Sequence, residues 1–305
     1  MPEMRTSIAV VFNPSARGEK ARRLHGFLKQ LEGQCSLHPT LAPGHATELA
    51  SQLVRGGTTT VVAAGGDGTV NEVINGLAAD PSLLPGVRLG LLPVGTMNVY
   101  ARELRVPLQW DKAWEVIRHG REHVVDLPYV EWGEQTEVRR RYFAQLGGAG
   151  LDSRAIAMVS WRQKKLLGPV AYVLAGVRAA LTRVGRVRVE CQSPKISAEG
   201  ELILVGNGRL YGGSFELFSG AKLEDGLLDV RVFPKAGFIQ AARVGCQLLM
   251  TGRSVSATET CFRAQEFTLS CPDPLPFELD GENVGLLPAT FRVMPRLLRV
   301  LVPAG

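Results

Sequence analysis

The chain has 305 residues, 45% hydrophobic and 21% charged, the profile of a soluble globular protein long enough for two domains. No apolar run approaches the length that crosses a bilayer. Its five cysteines, Cys35, Cys191, Cys246, Cys261 and Cys271, show no CxxC spacing, which argues against a disulfide framework or a zinc site and for a reducing cytosol. The net charge of +6 favours anionic partners without choosing among nucleotides, nucleic acid and acidic lipid.

Met1-Pro2-Glu3-Met4-Arg5 lacks the apolar core of a signal peptide, so secretion is not expected. Ile8 to Phe12 reads as a buried strand, Glu19 to Leu31 as a helix, and Ser36 to Leu41 as a weaker strand. Ala46 to Arg55 is helical, with Leu49, Leu53 and Val54 on its apolar face. Thr60 to Ala64 is a strand, a helix starts at Gly68, and Val87 to Leu92 is the next strand. This alternation predicts a parallel sheet covered on both faces. Past Asp126 the pattern turns to strands with Gly-containing turns: Tyr142 to Leu146, Arg186 to Cys191, Glu201 to Gly206, Leu227 to Phe233, Phe267 to Cys271 and Phe291 to Val293. Helical stretches at Ser153 to Leu181 and Gly237 to Leu249 interrupt them. The expectation is an α/β nucleotide-binding domain over 1–126 plus 294–305, and a mainly antiparallel, β-sandwich-like domain over 127–293.

The most informative stretch is VVAAGGDGTVNEVINGL, Val61 to Leu77. Glycines at a strand-to-helix junction let backbone N–H groups approach a phosphate, and the helix N-terminus adds a favourable field. Asp67 would repel a phosphate directly. It suits a metal ion or the proton of a substrate hydroxyl. The plain alternative is a tight turn with a helix cap.

GGDGTVNEVINGL resembles the signature of the diacylglycerol kinase catalytic-domain family, which includes bacterial lipid kinases, sphingosine kinases and ceramide kinases. Further landmarks follow in the same order: Asn13 to Gly18 (NPSARG), Leu89 to Pro107 (LGLLPVGTMNVYARELRVP), Tyr142 to Asp152 (YFAQLGGAGLD) and Leu167 to Leu174 (LGPVAYVL). Asn207 to Val230 and Leu279 to Glu282 (LDGE) complete them. The resemblance implies transfer of the γ-phosphoryl of ATP, with Mg²⁺, to a lipid hydroxyl. It implies an NAD kinase-like first domain and a last strand, near Leu297 to Val302, that returns to it.

By the same resemblance the nucleotide faces Asn13, Pro14, Ser15, Ala16, Thr40, Gly66, Asp67, Gly68, Thr69, Val70, Asn71, Glu72 and Thr96. Short polar donors at successive strand carboxyl ends fit the rule for ligand sites in open α/β sheets. Asp67 and Glu282 are the expected catalytic carboxylates, and which of them is the general base stays open. Glu282 also follows Asp280-Gly281, a good hairpin turn. In similar bacterial kinases a structural Mg²⁺ sits at the positions of Lys222, Asp225 and Leu227, although Asp225-Gly226 also reads as a plain turn. The chain departs from the family pattern at Val99, where many members carry an Asp after Gly-Thr-x-Asn. That removes one acidic contributor near the metal, with Asp126 left as a candidate partner.

Between Ala155 and Val189, Arg162, Lys164, Lys165, Arg178, Arg183, Arg186 and Arg188 occur with Trp161, Leu166, Leu167, Tyr172, Val173 and Leu174 and no acidic residue. The mixture suits an anionic membrane surface. Two core helices with basic outer faces are the alternative. No nucleic-acid module accompanies the charge, so nucleic acid is not an expected partner. The leading expectation is therefore an ATP-dependent lipid kinase, cytoplasmic and peripheral to the inner face of the membrane, with homodimerisation open. NAD kinase and a non-catalytic nucleotide-binding regulator are the competing readings.

Overall fold

The computed structural model describes residues 7–14, 19–134, 137–150, 185–235 and 260–304. The chain divides into two units: Met1–Leu127 with Pro295–Gly305, and Pro128–Met294. Both long predicted helices of the second half, Ser153 to Leu181 and Gly237 to Leu249, lie outside the described residues.

In the first unit, β1 (Ile8–Phe12), α1 (Glu19–Gln30), β2 (Ser36–Pro39), α2 (His45–Arg55), β3 (Thr60–Gly65) and α3 (Asp67–Leu77) alternate. A 3-10 turn at Pro81–Gly86 leads to β4 (Arg88–Pro93), α4 (Val99–Glu103) and α5 (Trp110–His119). The sheet runs β2-β1-β3-β4 and then takes the C-terminal end of the last strand, with every one of these pairs parallel. All six residues of β3, TVVAAG, are buried. A continuous apolar run is what a central parallel strand needs, because helices cover both of its faces. Helices α2 and α3 pack so closely that a Cβ on Gly76 would stand 2.3 Å from the Thr47 carbonyl oxygen.

The second unit is antiparallel. β7 (Leu146–Gly150), β10 (Leu202–Gly206), β13 (Leu228–Phe233), β14 (Thr260–Ala264), β16 (Pro276–Leu279) and β17 (Glu282–Leu286) form one sheet, in the order β14-β13-β10-β7-β16-β17. The other carries β8 (Val187–Cys191), β9 (Ile196–Gly200), β15 (Glu266–Ser270) and the first residues of β18 (Ala289–Val302). β5 (Arg121–Glu134) joins it beside β18 and pairs with β6 (Glu137–Tyr142). A short hairpin, β11 (Leu210–Tyr211) with β12 (Phe215–Glu216), stands apart from both sheets. Phe291 of β18 stacks on Phe267 of β15 at 5.3 Å and meets Phe277 of β16 edge-on at 6.2 Å. These rings join the inner faces of the two sheets, which is how a sandwich closes its core.

Two elements differ from the sequence reading. Tyr142 to Leu146, expected as one strand, is a break: β6 ends at Tyr142, β7 begins at Leu146, and Phe143 to Gln145 link them. Phe291 to Val293 and Leu297 to Val302, read as separate strands, belong to the single 14-residue β18.

Candidate active site

Because β2, β1, β3 and β4 are parallel neighbours, their carboxyl ends lie along one edge, and the predicted nucleotide-facing loops gather there. Asn13 and Pro14 follow β1 and are exposed; Ser15 and Ala16 lie outside the described residues. Asn13 and Pro14 border a hollow that Arg22 and His25 of α1 also line. The sequence reading passed over these two, although their i,i+3 spacing puts them on one helix face. Thr40 follows β2, is buried, and donates its backbone N–H to the Phe12 carbonyl at 2.8 Å.

The β3–α3 and β4–α4 loops are built as one piece. The N–H groups of Val94 and Gly95 both donate to the Gly65 carbonyl, at 2.9 and 3.2 Å. A Cβ on Gly95 would lie 2.5 Å from the Gly66 Cα. Asn98, in the left-handed region at φ 49°, donates from Nδ2 to the Gly95 carbonyl at 3.0 Å. The Tyr100 N–H donates to Asp67 Oδ1 at 3.3 Å, so the acidic residue of one loop is tied to the first turn of the helix after the other. Gly66 precedes α3 with φ −93° and ψ −171°, an extended conformation open to any residue. Gly68 lies in the first turn of α3, so neither glycine is needed there for a left-handed backbone. At Gly66 the remaining reason is close approach, since a Cβ there would stand 3.2 Å from the Gly95 Cα. Gly66, at the N-cap of α3, has no side chain with which to cap the helix. The Thr69 side chain folds against Gly65, where an added Cβ would meet Oγ1 at 2.3 Å, and Thr96 is exposed.

Val70, Asn71 and Glu72 are different. Val70 and Asn71 are buried, and Asn71 accepts from Asn75 Nδ2 through its carbonyl at 2.9 Å and Oδ1 at 3.2 Å. Glu72 Oε2 accepts the Ala46 N–H at 3.1 Å, and its carbonyl accepts the Thr47 hydroxyl at 2.9 Å. The Glu72 carboxylate thus caps α2, whose own N-cap is Gly44 and has no side chain to do so. Of the three, Glu72 belongs to the α2–α3 contact, Asn71 bonds within α3, and Val70 packs beside Asp67, Leu91 and Asn98.

In the second unit, Glu282 opens β17. Asp280 and Gly281 both have positive φ, 48° and 84°, the pattern of a type I′ hairpin turn. Glu282 is half-exposed, and its Oε2 lies 2.9 Å from Arg141 Nη2 of β6. At the predicted metal loop, Asp225 Oδ1 accepts the Leu227 N–H at 3.1 Å, and Oδ2 pairs with the Arg263 guanidinium. Arg263 Nε reaches Asp229 at 3.2 Å. Burial holds the Asp229 carboxyl above its ordinary pKa, against the pull of Arg263. Lys222, Asp225 and Leu227 therefore do not fit a divalent cation as arranged, because a guanidinium occupies the carboxylate that would carry it. Val99 is buried at the start of α4. Asp126 is buried and accepts the Arg296 N–H at 2.8 Å. Of the predicted basic face, Arg162, Lys164, Lys165, Arg178 and Arg183 lie outside the described residues. Arg186 and Arg188 both reach Glu199 of β9, at 3.9 and 2.6 Å.

Two family models match in succession. Residues 7–130 match the diacylglycerol kinase catalytic domain, and residues 147–302 match the YegS C-terminal NAD kinase beta sandwich-like domain. The chain belongs to the diacylglycerol kinase catalytic-domain family, a family of lipid kinases. A Stenotrophomonas maltophilia protein named "Probable lipid kinase YegS-like" is 30% identical, over 95% of this chain and 94% of its own. The Bacillus subtilis "Diacylglycerol kinase" is 29% identical, over 96% of this chain and 95% of its own. A crystal structure of a diacylglycerol kinase from Bacillus anthracis superposes with a TM-score of 0.77 at 22% identity. It covers 97% of both chains and shows likeness of fold.

Proposed function

We propose that this protein transfers the γ-phosphoryl group of ATP to the hydroxyl of a diacylglycerol-like or sphingoid lipid. The observation that carries the reading is the fused pair of loops at the carboxyl ends of β3 and β4, held by Gly65, Gly66 and Gly95. Phosphoryl transfer asks chiefly for positioning and charge neutralisation. The N-terminus of α3, with Asn13, Thr40, Thr69 and Thr96, is suited to hold the phosphates, while the glycines keep side chains out of their way. Mg²⁺ arrives with ATP as part of the donor substrate. Asp67 faces that cation or the acceptor proton. Glu282 is the second carboxylate suited to take the proton as the lipid oxygen bonds to phosphorus and ADP leaves.

The protein meets its acceptor as a peripheral visitor to an anionic membrane on the cytoplasmic side, through the basic and apolar residues between Ala155 and Val189. The test is incubation with γ-labelled ATP, Mg²⁺ and a panel of diacylglycerol, sphingosine and ceramide in mixed micelles, with NAD alongside. Label in a lipid supports the reading. Label in NADP and in no lipid makes the protein an NAD kinase, and ATP binding without transfer makes it a regulator.

A further inference from the structure

The turn that carries Glu282 is fastened at more points than a hairpin needs. Asp280 Oδ2 accepts the Ala144 N–H at 2.7 Å, and Oδ1 accepts those of Gln145 and Leu146 at 2.9 and 3.0 Å. Three successive amides, two from the β6–β7 link and the first of β7, thus converge on one carboxylate. The Asp280 N–H donates back to the Leu146 carbonyl at 2.9 Å. Glu278, itself buried, accepts the Gly281 N–H through Oε2 at 2.9 Å. Arg141, three residues before Ala144 on the same stretch of chain, holds Glu282 Oε2 at 2.9 Å. An I′ turn alone asks only for residues that tolerate positive φ, and Asn-Gly serves it as well as Asp-Gly. The carboxylate at 280 therefore has a second task. A charge-assisted bond to each amide fixes the turn far more tightly than ordinary hairpin pairing.

We propose that Asp280 and Arg141 are positioning residues for Glu282: the 141–146 segment clamps the turn through Asp280 and orients the Glu282 carboxylate through Arg141. The proposal rests on the reading of Glu282 as a catalytic carboxylate. It explains why the chain leaves the strand after Phe143, whose N–H still donates to the Pro128 carbonyl of β5 at 3.0 Å: the amides of Ala144 and Gln145 face a side chain rather than a neighbouring strand. It also gives chemical content to Arg141, which no motif singles out.

Asp280→Asn separates the clamp from the turn. It keeps the Asn-Gly preference for positive φ but replaces one accepting oxygen with an NH₂ that cannot take an amide proton. The assay is turnover with Mg²⁺, γ-labelled ATP and dioctanoylglycerol or sphingosine micelles, for wild type, Asp280→Asn, Glu282→Gln and the double variant. Misplacement of a reacting group by about 1 Å costs on the order of 100-fold, so kcat for Asp280→Asn should fall by about 10- to 100-fold with KM for ATP nearly unchanged. In the Glu282→Gln background the same change should cost nothing further, because residues that act as a unit are non-additive. Arg141→Gln should behave likewise, with partial recovery in Arg141→Lys.

Additive losses, or wild-type kcat in folded Asp280→Asn and Arg141→Gln beside an impaired Glu282→Gln, overturn the positioning role and leave the kinase reading standing. Wild-type kcat in Glu282→Gln removes Glu282 from the mechanism, and the positioning role with it. If Asp280→Asn does not fold, Arg141→Gln decides by the same criteria. Hydrogen exchange reads the clamp without turnover: the amides of Ala144, Gln145 and Leu146 should exchange faster in Asp280→Asn and unchanged in Glu282→Gln. Unaltered protection at all three in Asp280→Asn overturns the clamp even if no lipid is labelled.

Discussion

Gly95 and Gly66 meet backbone to backbone: a Cβ built on Gly95 would lie 2.5 Å from the Gly66 Cα, a separation that real side chains do not tolerate. The same Cβ would crowd Asn98 Oδ1 at 2.7 Å. Gly95→Ala must therefore part the two loops. The expected cost is about 1–3 kcal/mol, typical of forced overpacking, with a clear loss of ATP affinity. Gly66→Ala, whose Cβ would stand 3.2 Å from the Gly95 Cα, should do less of both. Thermal unfolding and ATP titration of the two variants check the order. Equal and full ATP affinity in both would show that the junction is structural only.

Asp67→Asn tests the chemistry with little disturbance to the loop, because an amide oxygen can still accept the Tyr100 N–H. Loss of a positioned acid or base typically costs about 10²–10⁴-fold in rate. Turnover should fall in that range while the unfolding temperature holds. Normal turnover would take Asp67 out of the mechanism.

Glu72→Ala should do the reverse. It removes the cap of α2 at the Ala46 N–H, which costs about 1 kcal/mol, and it leaves ATP affinity as it was. A fall in affinity greater than the fall in stability would return the Glu72 side chain to the nucleotide site.

Arg263 bears on the metal loop. With its guanidinium on Asp225 and Asp229, wild-type unfolding should be indifferent to EDTA or Mg²⁺ in the absence of ATP. Arg263→Gln should lose about 1 kcal/mol at neutral pH, a small value because the pair is partly exposed. Mg²⁺ should restore part of it. The Asp229 pKa is already raised by burial and rises further without Arg263. The folded state then binds a proton more readily than the unfolded one, so the variant regains stability as the pH falls through the raised folded pKa towards the unfolded value. Wild-type stabilisation by Mg²⁺ that Asp225→Asn abolishes would show a cation site here after all.

Reversing Arg162, Lys164 and Lys165 to Glu should weaken binding to phosphatidylserine vesicles by about 1 kcal/mol per residue at low salt, with activity on micellar short-chain lipid retained. Unchanged vesicle binding at low salt would place the docking surface elsewhere.

Much of the first unit was legible because its signals are local. An apolar run, a glycine junction and a helical period announce β3 and α3 without any distant partner. The second unit was legible as strands but not in detail. Ala144 and Gln145, between Phe143 and Leu146, look like strand, and only a carboxylate more than a hundred residues away takes the amides that break the pairing. Glu72 sits inside a motif that reads as nucleotide-facing, yet its partner is the start of another helix. Arg263 carries no motif; the antiparallel β13–β14 register sets it opposite Asp229, within reach of Asp225, and no local pattern reveals that pairing.

The central claim is tested most directly by comparing ATP labelled at the γ-phosphate with ATP labelled at the α-phosphate, each with Mg²⁺ and a micellar lipid acceptor. The account predicts label in the extracted lipid from the γ position alone, and its near-complete loss in Asp67→Asn. Label that stays in the aqueous phase with every acceptor, or appears in NADP when NAD is supplied, would contradict it.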